Sequence, residues 1–145
     1  MNASQIGSMI KPILIVGEQP LSIEDVVAVA RQELNVALPE TTEWRELIQR
    51  GADFLDQLLL DEGVIYGVTT GYGDSCLVEI PMHQVNELPL QLSRFHGCGL
   101  GENLDLITAR AVVVTRLCSL ARGYSGVSLS LLKRLVWMLN ENIIP

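Results

Sequence analysis

Hydrophobic positions recur every three or four residues along much of the chain, a spacing that predicts α-helices. The first such segment is Leu21–Leu34, in which Ser22 and Asp25 have the spacing of a helix-capping pair. A second segment can be capped by Thr42 and should end near Gly63. The first half of the chain therefore predicts two amphipathic helices.

The second half predicts further helices. Pro81–Phe95 is apolar at helical spacing but interrupted by Pro89, so two short helices should meet at that proline. Leu106–Arg122 is apolar on nearly every side, which indicates a helix buried all round. A last helix can begin at Ser128. Because a domain of 145 residues seldom surrounds one helix completely, we expect a larger body or an oligomeric helix bundle around it.

The fold class follows from these patterns. Residues 1–20 read as an N-terminal tail in which Pro12–Gly17 could form a short strand, and residues 21–145 read as a helical region. Five helical patterns, one weak strand and no internal repeat predict an all-α fold.

Composition narrows the functional classes. The 17 acidic residues outnumber 10 basic ones, which are scattered, so nucleic acid is not an expected partner. Apolar residues make up 48% of the chain, which suggests that part of its surface meets other protein. Cys76, Cys98 and Cys118 are too widely spaced for a disulfide framework or a metal site. The apolar run Ile13–Val16 is too short for a signal sequence or membrane span, so we predict a cytoplasmic protein.

Tyr66–Gly73, with the sequence YGVTTGYG, is predicted to be a loop. Its glycines permit positive φ, and two adjacent threonines resist a helix. Gly67, Gly71 and Gly73 could act as hinges of a lid. Tyr66 could serve as a general base only inside a closed, polar pocket built partly by other segments. The alternative, which the local composition favours, is a structural turn with exposed aromatic rings.

A second glycine-rich stretch, Gly97–Gly101, lacks the spacing of a dinucleotide-binding or phosphate-binding loop and is predicted to be a turn. His96 stands just before this turn. Judged from its surroundings alone, His96 is expected to have its imidazole hydrogen-bonded at a helix end. His83 lies in a polar stretch and is expected at the surface.

Three motifs occur in order along the chain: YGVTTGYG, LQLSRFHGCGLG at Leu90–Gly101 and TRLCSLARGYSGV at Thr115–Val127. Together they resemble the histidine and aromatic amino acid ammonia-lyase family over about Leu21–Pro145. The resemblance implies an ammonia-lyase/fumarase-like helix-bundle fold. It also implies a homotetramer whose active sites are assembled from several subunits.

The resemblance further implies an electrophilic prosthetic group, 4-methylidene-imidazol-5-one, formed autocatalytically from an internal Ala-Ser-Gly. That tripeptide is absent from these 145 residues. In the family it lies shortly downstream of the segment that Asn142–Pro145 matches, so we expect an N-terminal part of the enzyme, truncated before the cofactor and inactive alone. The implied reaction belongs to amino acid catabolism: the substrate amine binds the electrophile, a base removes a β-proton, and ammonia leaves an α,β-unsaturated acid.

The resemblance assigns roles to individual residues. Tyr66 matches the catalytic base, and His96 matches the residue that selects the substrate side chain, which implies a polar ring such as that of histidine or tyrosine. Thr69 departs from the asparagine usual in histidine enzymes, and Cys118 replaces another asparagine. Tyr72 stands where phenylalanine is frequent and receives no chemical role.

Two alternatives to a lyase stay open. A related 2,3-aminomutase, which returns the amine to the β-carbon, would share all of these features. A non-catalytic helical module for binding or interaction would share the fold without the chemistry. A reading frame that continues into Ala-Ser-Gly would favour the enzyme, and a stop codon after Pro145 would favour the module.

Overall fold

The computed structural model describes residues 11–61 and 63–145. The elements found there are β1 (Ile13–Ile15), α1 (Ile23–Ala30), β2 (Asn35–Ala37), α2 (Thr42–Leu60), α3 (Met82–Val85), α4 (Leu88–His96), α5 (Leu106–Leu120) and α6 (Leu129–Asn140), with a 3₁₀ turn at Gly73–Ser75. The all-α class is confirmed, since the two strands are only three residues long. Residues 1–10 of the predicted N-terminal tail lie outside the described part.

The chain divides into two units. One contains the chain up to Gly51 together with Leu104–Pro145, and the other contains Ala52–Asn103. Both strands and helices α1, α5 and α6 belong to the first unit, and α3 and α4 belong to the second. The boundary predicted between residues 1–20 and residues 21–145 stays a prediction.

The start of α1 matches the sequence pattern. The Ser22 hydroxyl accepts a hydrogen bond from the Asp25 N–H at 3.1 Å, and the Asp25 carboxylate accepts one from the Ser22 N–H at 3.0 Å. Hydrogen bonds from the Ser22 backbone and hydroxyl hold the pKa of Asp25 below its usual value. This reciprocal pair satisfies two backbone donors that a helix start would otherwise leave free.

The prediction that the first helix runs to Leu34 is wrong. α1 ends at Ala30, and Gln32 adopts a positive φ of 62° that takes the chain out of the helix. The missed strand β2 follows and pairs in parallel with β1, with Leu14 opposite Val36. Leu34 is apolar because it packs against the core. Its position happens to continue the helical spacing, which is why the sequence pattern extends past the end of the helix.

The core of the first unit is apolar and is built from both strand segments and four helices. Its buried members are Val16, Val29, Val36, Trp44, Ile48, Val114, Leu117, Leu120, Ala121, Leu132 and Leu139. The indole N–H of Trp44 donates to the carbonyl of Ala121 at 2.9 Å, which satisfies the one polar group that this large side chain brings into the core.

The starts of α2 and α6 agree with the predicted capping positions to within one residue. The hydroxyl of Thr41, not that of Thr42, accepts the hydrogen bond from the Trp44 N–H at the start of α2. Ser128 caps α6 as predicted, through a hydrogen bond from the Leu131 N–H. At Pro89 the chain forms two short helices, as predicted, with the proline in the first turn of α4.

Within the described chain, the helical segment predicted to be buried all round is buried on one side only. In α5 the side chains of Leu106, Ile107 and Val112 are 62%, 53% and 56% exposed. The buried side of α5 instead includes Arg110 and Leu117. The expected oligomeric partner for the exposed side stays a prediction.

Arg110 is a buried cation, only 3% exposed. Its Nη2 and Nε atoms donate to the carbonyls of Val29 and Ala30 at 2.9 and 3.1 Å, and its Nη1 donates to the carbonyl of Leu139 at 2.9 Å and to Oδ1 of Asn142 at 3.0 Å. These carbonyls lie in the last turns of α1 and α6, at the negative end of each helix dipole. Those of Val29 and Leu139 also accept a backbone N–H, from Gln32 and Asn142 respectively. Burial lowers the pKa of Arg110. One guanidinium thus joins the C-terminal ends of two helices.

The side-chain amide of Asn140 contacts β2. Its Oδ1 accepts a hydrogen bond from the Val36 N–H at 2.9 Å, and its Nδ2 donates to the Val36 carbonyl at 3.0 Å. Asn140 thereby links the last helix to the small sheet.

Candidate active site

The segment 63–80, in the second unit, contains the YGVTTGYG motif and is closed by backbone hydrogen bonds. The Gly71 N–H donates to the Val78 carbonyl at 3.0 Å, and the Ile80 N–H donates to the Thr69 carbonyl at 2.9 Å. The loop predicted from the sequence is therefore present, and its residues 69–71 pair in a strand-like manner with residues 78–80.

Tyr66 lies at the start of this loop and is 64% exposed. Its phenol oxygen accepts a hydrogen bond from the Gly73 N–H at 3.0 Å. Its ring meets the ring of Tyr72 edge-on, with centroids 6.3 Å apart and planes at 86°. This arrangement is a favourable aromatic geometry that keeps the phenol oxygen beside a backbone donor.

The three loop glycines occupy positions that reject other residues for two different reasons. Gly67 and Gly73 have φ of 72° and 56°, in the left-handed region that L side chains rarely adopt. Gly71 is needed for close packing, because a Cβ there would lie 2.7 Å from the Ser75 carbonyl oxygen. Their role as hinges stays a prediction.

Gly67→Ala should disturb the loop more than Gly73→Ala. Both changes force alanine into a left-handed conformation, at about 1 kcal/mol or more. A Cβ at Gly67 would also lie 2.8 Å from Cε1 of Tyr72, whereas a Cβ at Gly73 meets nothing within 4 Å. Amide hydrogen exchange of the loop in the two variants measures the difference, and equal effects would show that the contact with Tyr72 is unimportant.

His96 is the last residue of α4 and is exposed. Its ring centroid lies 6.4 Å from that of Tyr72 and 4.8 Å from that of Phe95. No residue among 11–61 and 63–145 makes a hydrogen bond to its imidazole. The described chain therefore does not support the alternative of a histidine whose imidazole is hydrogen-bonded at a helix end. Tyr72 contacts both Tyr66 and His96, a linking position that the sequence did not reveal.

The prosthetic group implied by the resemblance requires an Ala-Ser-Gly, and the sequence contains none. The residues present therefore do not fit formation of this group within the chain. The described chain does contain the phenol of Tyr66, held by the Gly73 N–H, and the imidazole of His96, with the ring of Tyr72 between them.

Residues 11–61 and 63–145 contain neither a candidate metal cluster nor a candidate membrane span. Those residues contain no group of three or more His, Cys, Asp or Glu that could hold a metal ion. No helix among them is long and apolar enough to cross a bilayer.

The chain belongs to the aromatic amino acid lyase family, because the sequence model of that family matches residues 21–145. It is 36% identical over 136 residues to a histidine ammonia-lyase from Clostridium tetani, covering 94% of this chain and 26% of that relative. The resemblance inferred from the three motifs is confirmed.

Solved structures agree with this family. The chain resembles the tyrosine aminomutase from Streptomyces globisporus with a TM-score of 0.83 and 34% identity, covering 92% of this chain and 25% of that one. It resembles the phenylalanine aminomutase from Pantoea agglomerans with a TM-score of 0.81 and 30% identity, covering 93% of this chain and 26% of that one. The chain thus spans about a quarter of the length of the relatives it matches.

Proposed function

We propose that the complete enzyme containing this chain eliminates ammonia from an aromatic amino acid with a polar ring, histidine or tyrosine, and that Tyr66 is its base. The observation that supports this is the hydrogen bond from the Gly73 N–H to the Tyr66 phenol oxygen. A donor at 3.0 Å holds that oxygen in a fixed position, and a positioned tyrosine oxygen is the atom that can take up a proton.

The chain contributes the proton-accepting part of the reaction. The Tyr66 oxygen removes a proton from the β-carbon of the substrate, while the Gly73 N–H holds that oxygen in place. Because Tyr66 is 64% exposed here, other segments must cover it to exclude water. We assign that covering to further residues of the same enzyme in a cytoplasmic homotetramer, which also supply the electrophilic prosthetic group. The 145-residue chain alone is then inactive.

His96 is proposed to select the substrate ring. Its imidazole carries one nitrogen that donates and one that accepts when neutral, so it can pair with a phenol or with another imidazole. Its ring is exposed and has no hydrogen-bond partner among the described residues, which supports a role toward a ligand. An unsubstituted phenyl ring would leave this pairing unmade.

Replacing His96 with leucine should move the preference of the enzyme toward phenylalanine. Leucine leaves no imidazole unpaired against a bare phenyl ring, while a substrate phenol or imidazole loses its hydrogen-bond partner, so each mismatch changes kcat/KM by about tenfold to a hundredfold. Measuring kcat/KM for histidine, tyrosine and phenylalanine tests this. His83→Leu is the matched control because His83 is also exposed and is assigned no role. An unchanged ranking of the three substrates in His96→Leu would remove His96 from the site.

An aminomutase is a second candidate, which the 34% identity to a tyrosine aminomutase supports. The two reactions share proton removal by Tyr66 and differ in whether ammonia is released or added back at the β-carbon. Incubating the complete enzyme with each amino acid and separating the products distinguishes them, because a lyase yields the unsaturated acid and a mutase yields a β-amino acid. Neither product from any of the three substrates would instead favour a non-catalytic module.

A further inference from the structure

Two backbone N–H groups next to Tyr66 donate to threonine side chains. The Ile65 N–H donates to Oγ1 of Thr69 at 2.8 Å, and the Gly67 N–H donates to Oγ1 of Thr70 at 3.1 Å. Ile65 and Gly67 are the residues immediately before and after Tyr66.

Each threonine hydroxyl is also fixed by its own donated bond. Oγ1 of Thr69 donates to the Gly63 carbonyl at 3.0 Å, and Oγ1 of Thr70 donates to the Gly71 carbonyl at 3.0 Å. A hydroxyl has one proton to donate, so both protons are committed within the loop. Thr70 is only 3% exposed, which makes its two hydrogen bonds costly to lose.

We propose that Thr69 and Thr70 are positioning residues whose hydroxyls hold the backbone on both sides of Tyr66 and so fix the direction of its phenol. This rests on the proposed role of Tyr66 as the base. The direction of a side chain from Cα is set by the backbone that flanks it. With that backbone held, the phenol oxygen reaches the Gly73 N–H without first ordering the loop.

The hydroxyls, not the β-branched shape, are the feature that matters. Val has nearly the shape of Thr and keeps its preference for extended backbone, but it cannot accept from an N–H. Ser keeps the hydroxyl and loses only the methyl group. Thr→Val and Thr→Ser at the same position therefore separate hydrogen bonding from packing. Thr115→Val is a matched control elsewhere, because its hydroxyl donates to the Ala111 carbonyl within α5.

The first arm uses amide hydrogen exchange, followed by NMR, on the 145-residue chain. Thr69→Val should speed exchange of the Ile65 amide, and Thr70→Val should speed exchange of the Gly67 amide, each by about tenfold or more. The serine variants and Thr115→Val should leave both amides protected. Unchanged exchange in the valine variants overturns the proposal. Thr69 is half-buried, so its valine variant decides the outcome if Thr70→Val fails to fold.

The second arm measures kinetics in the complete enzyme. Each valine variant should lower kcat by about a hundredfold with little change in KM, because a misplaced base weakens the reaction and not substrate binding. Serine should restore kcat. A uniform loss of active enzyme with unchanged kcat per folded site would indicate a purely structural role and overturn the proposal.

The two arms also separate this proposal from the proposed function. If Tyr66→Phe lowers activity but the valine variants do not, the positioning role fails and the base assignment stands. If Tyr66→Phe leaves activity unchanged, the base assignment fails, and the positioning role that rests on it is overturned even where the exchange results match.

Discussion

Replacing Tyr66 with phenylalanine should lower kcat of the complete enzyme by about 100- to 10,000-fold, the contribution typical of a positioned acid or base. The change removes one oxygen and keeps the ring, so the edge-on contact with Tyr72 and the left-handed conformations of Gly67 and Gly73 can stay as they are. Ammonia release or β-amino acid formation measures the loss. Substrate affinity should change little, because the β-carbon proton is removed only in the reaction step.

Tyr124→Phe is the matched control for this change. Tyr124 is 85% exposed and belongs to the other unit, and the same oxygen is removed there. We expect activity close to that of the unchanged enzyme. If Tyr66→Phe retains full activity while Tyr124→Phe does as well, Tyr66 is not the base, and the hydrogen bond from Gly73 serves only the shape of the loop.

Replacing Arg110 with methionine should lower the free energy of unfolding of the chain by about 3 kcal/mol, since each lost hydrogen bond from the charged guanidinium costs about 1 kcal/mol or more. The acceptors are the carbonyls of Val29, Ala30 and Leu139, which all receive hydrogen bonds from the guanidinium. Methionine fills similar space without a donor. Urea unfolding followed by circular dichroism measures the change, which is a large part of the 5 to 15 kcal/mol typical of a domain.

Two further variants test the reason for this loss. Arg116→Met lies on the same helix at an exposed position and should change stability little. Arg110→Lys keeps the charge but not the planar fork of donors, so it should fall between the methionine variant and the unchanged chain. If Arg110→Lys matched the unchanged chain, the charge near the helix ends would matter and the fork geometry would not.

The helices could be predicted from the sequence because each one is encoded locally. The capping pair Ser22 and Asp25, the proline Pro89 and the cap Ser128 act within one turn of the chain. β2 could not be predicted in this way. Three residues carry no alternating pattern, and the strand exists because β1, some twenty residues earlier, offers a partner.

The candidate site could be predicted only in part. The family motifs identify Tyr66 and His96, but the residues that hold or link them act through space. The hydroxyl contacts of Thr69 and Thr70 depend on how the loop folds back on itself. Arg110 is equally hidden, because its sequence neighbours are apolar and its partners lie on two other helices. Such contacts join residues that no periodic pattern relates.

The side-chain amide of Asn140 limits strand pairing between the small sheet and other chains. A strand at the edge of a sheet presents unpaired N–H and C=O groups that can recruit a strand from another molecule. In β2, the residues on either side of Val36 make their backbone hydrogen bonds with the β1 segment. The Asn35 N–H donates to the Pro12 carbonyl, and the Ala37 carbonyl accepts from the Val16 N–H. The N–H and C=O groups of Val36 point away from β1, and the side-chain amide of Asn140 hydrogen-bonds to both of them. The free edge of β2 is thus closed to strand addition by a single side chain, and the chain is protected there against growth into aggregates.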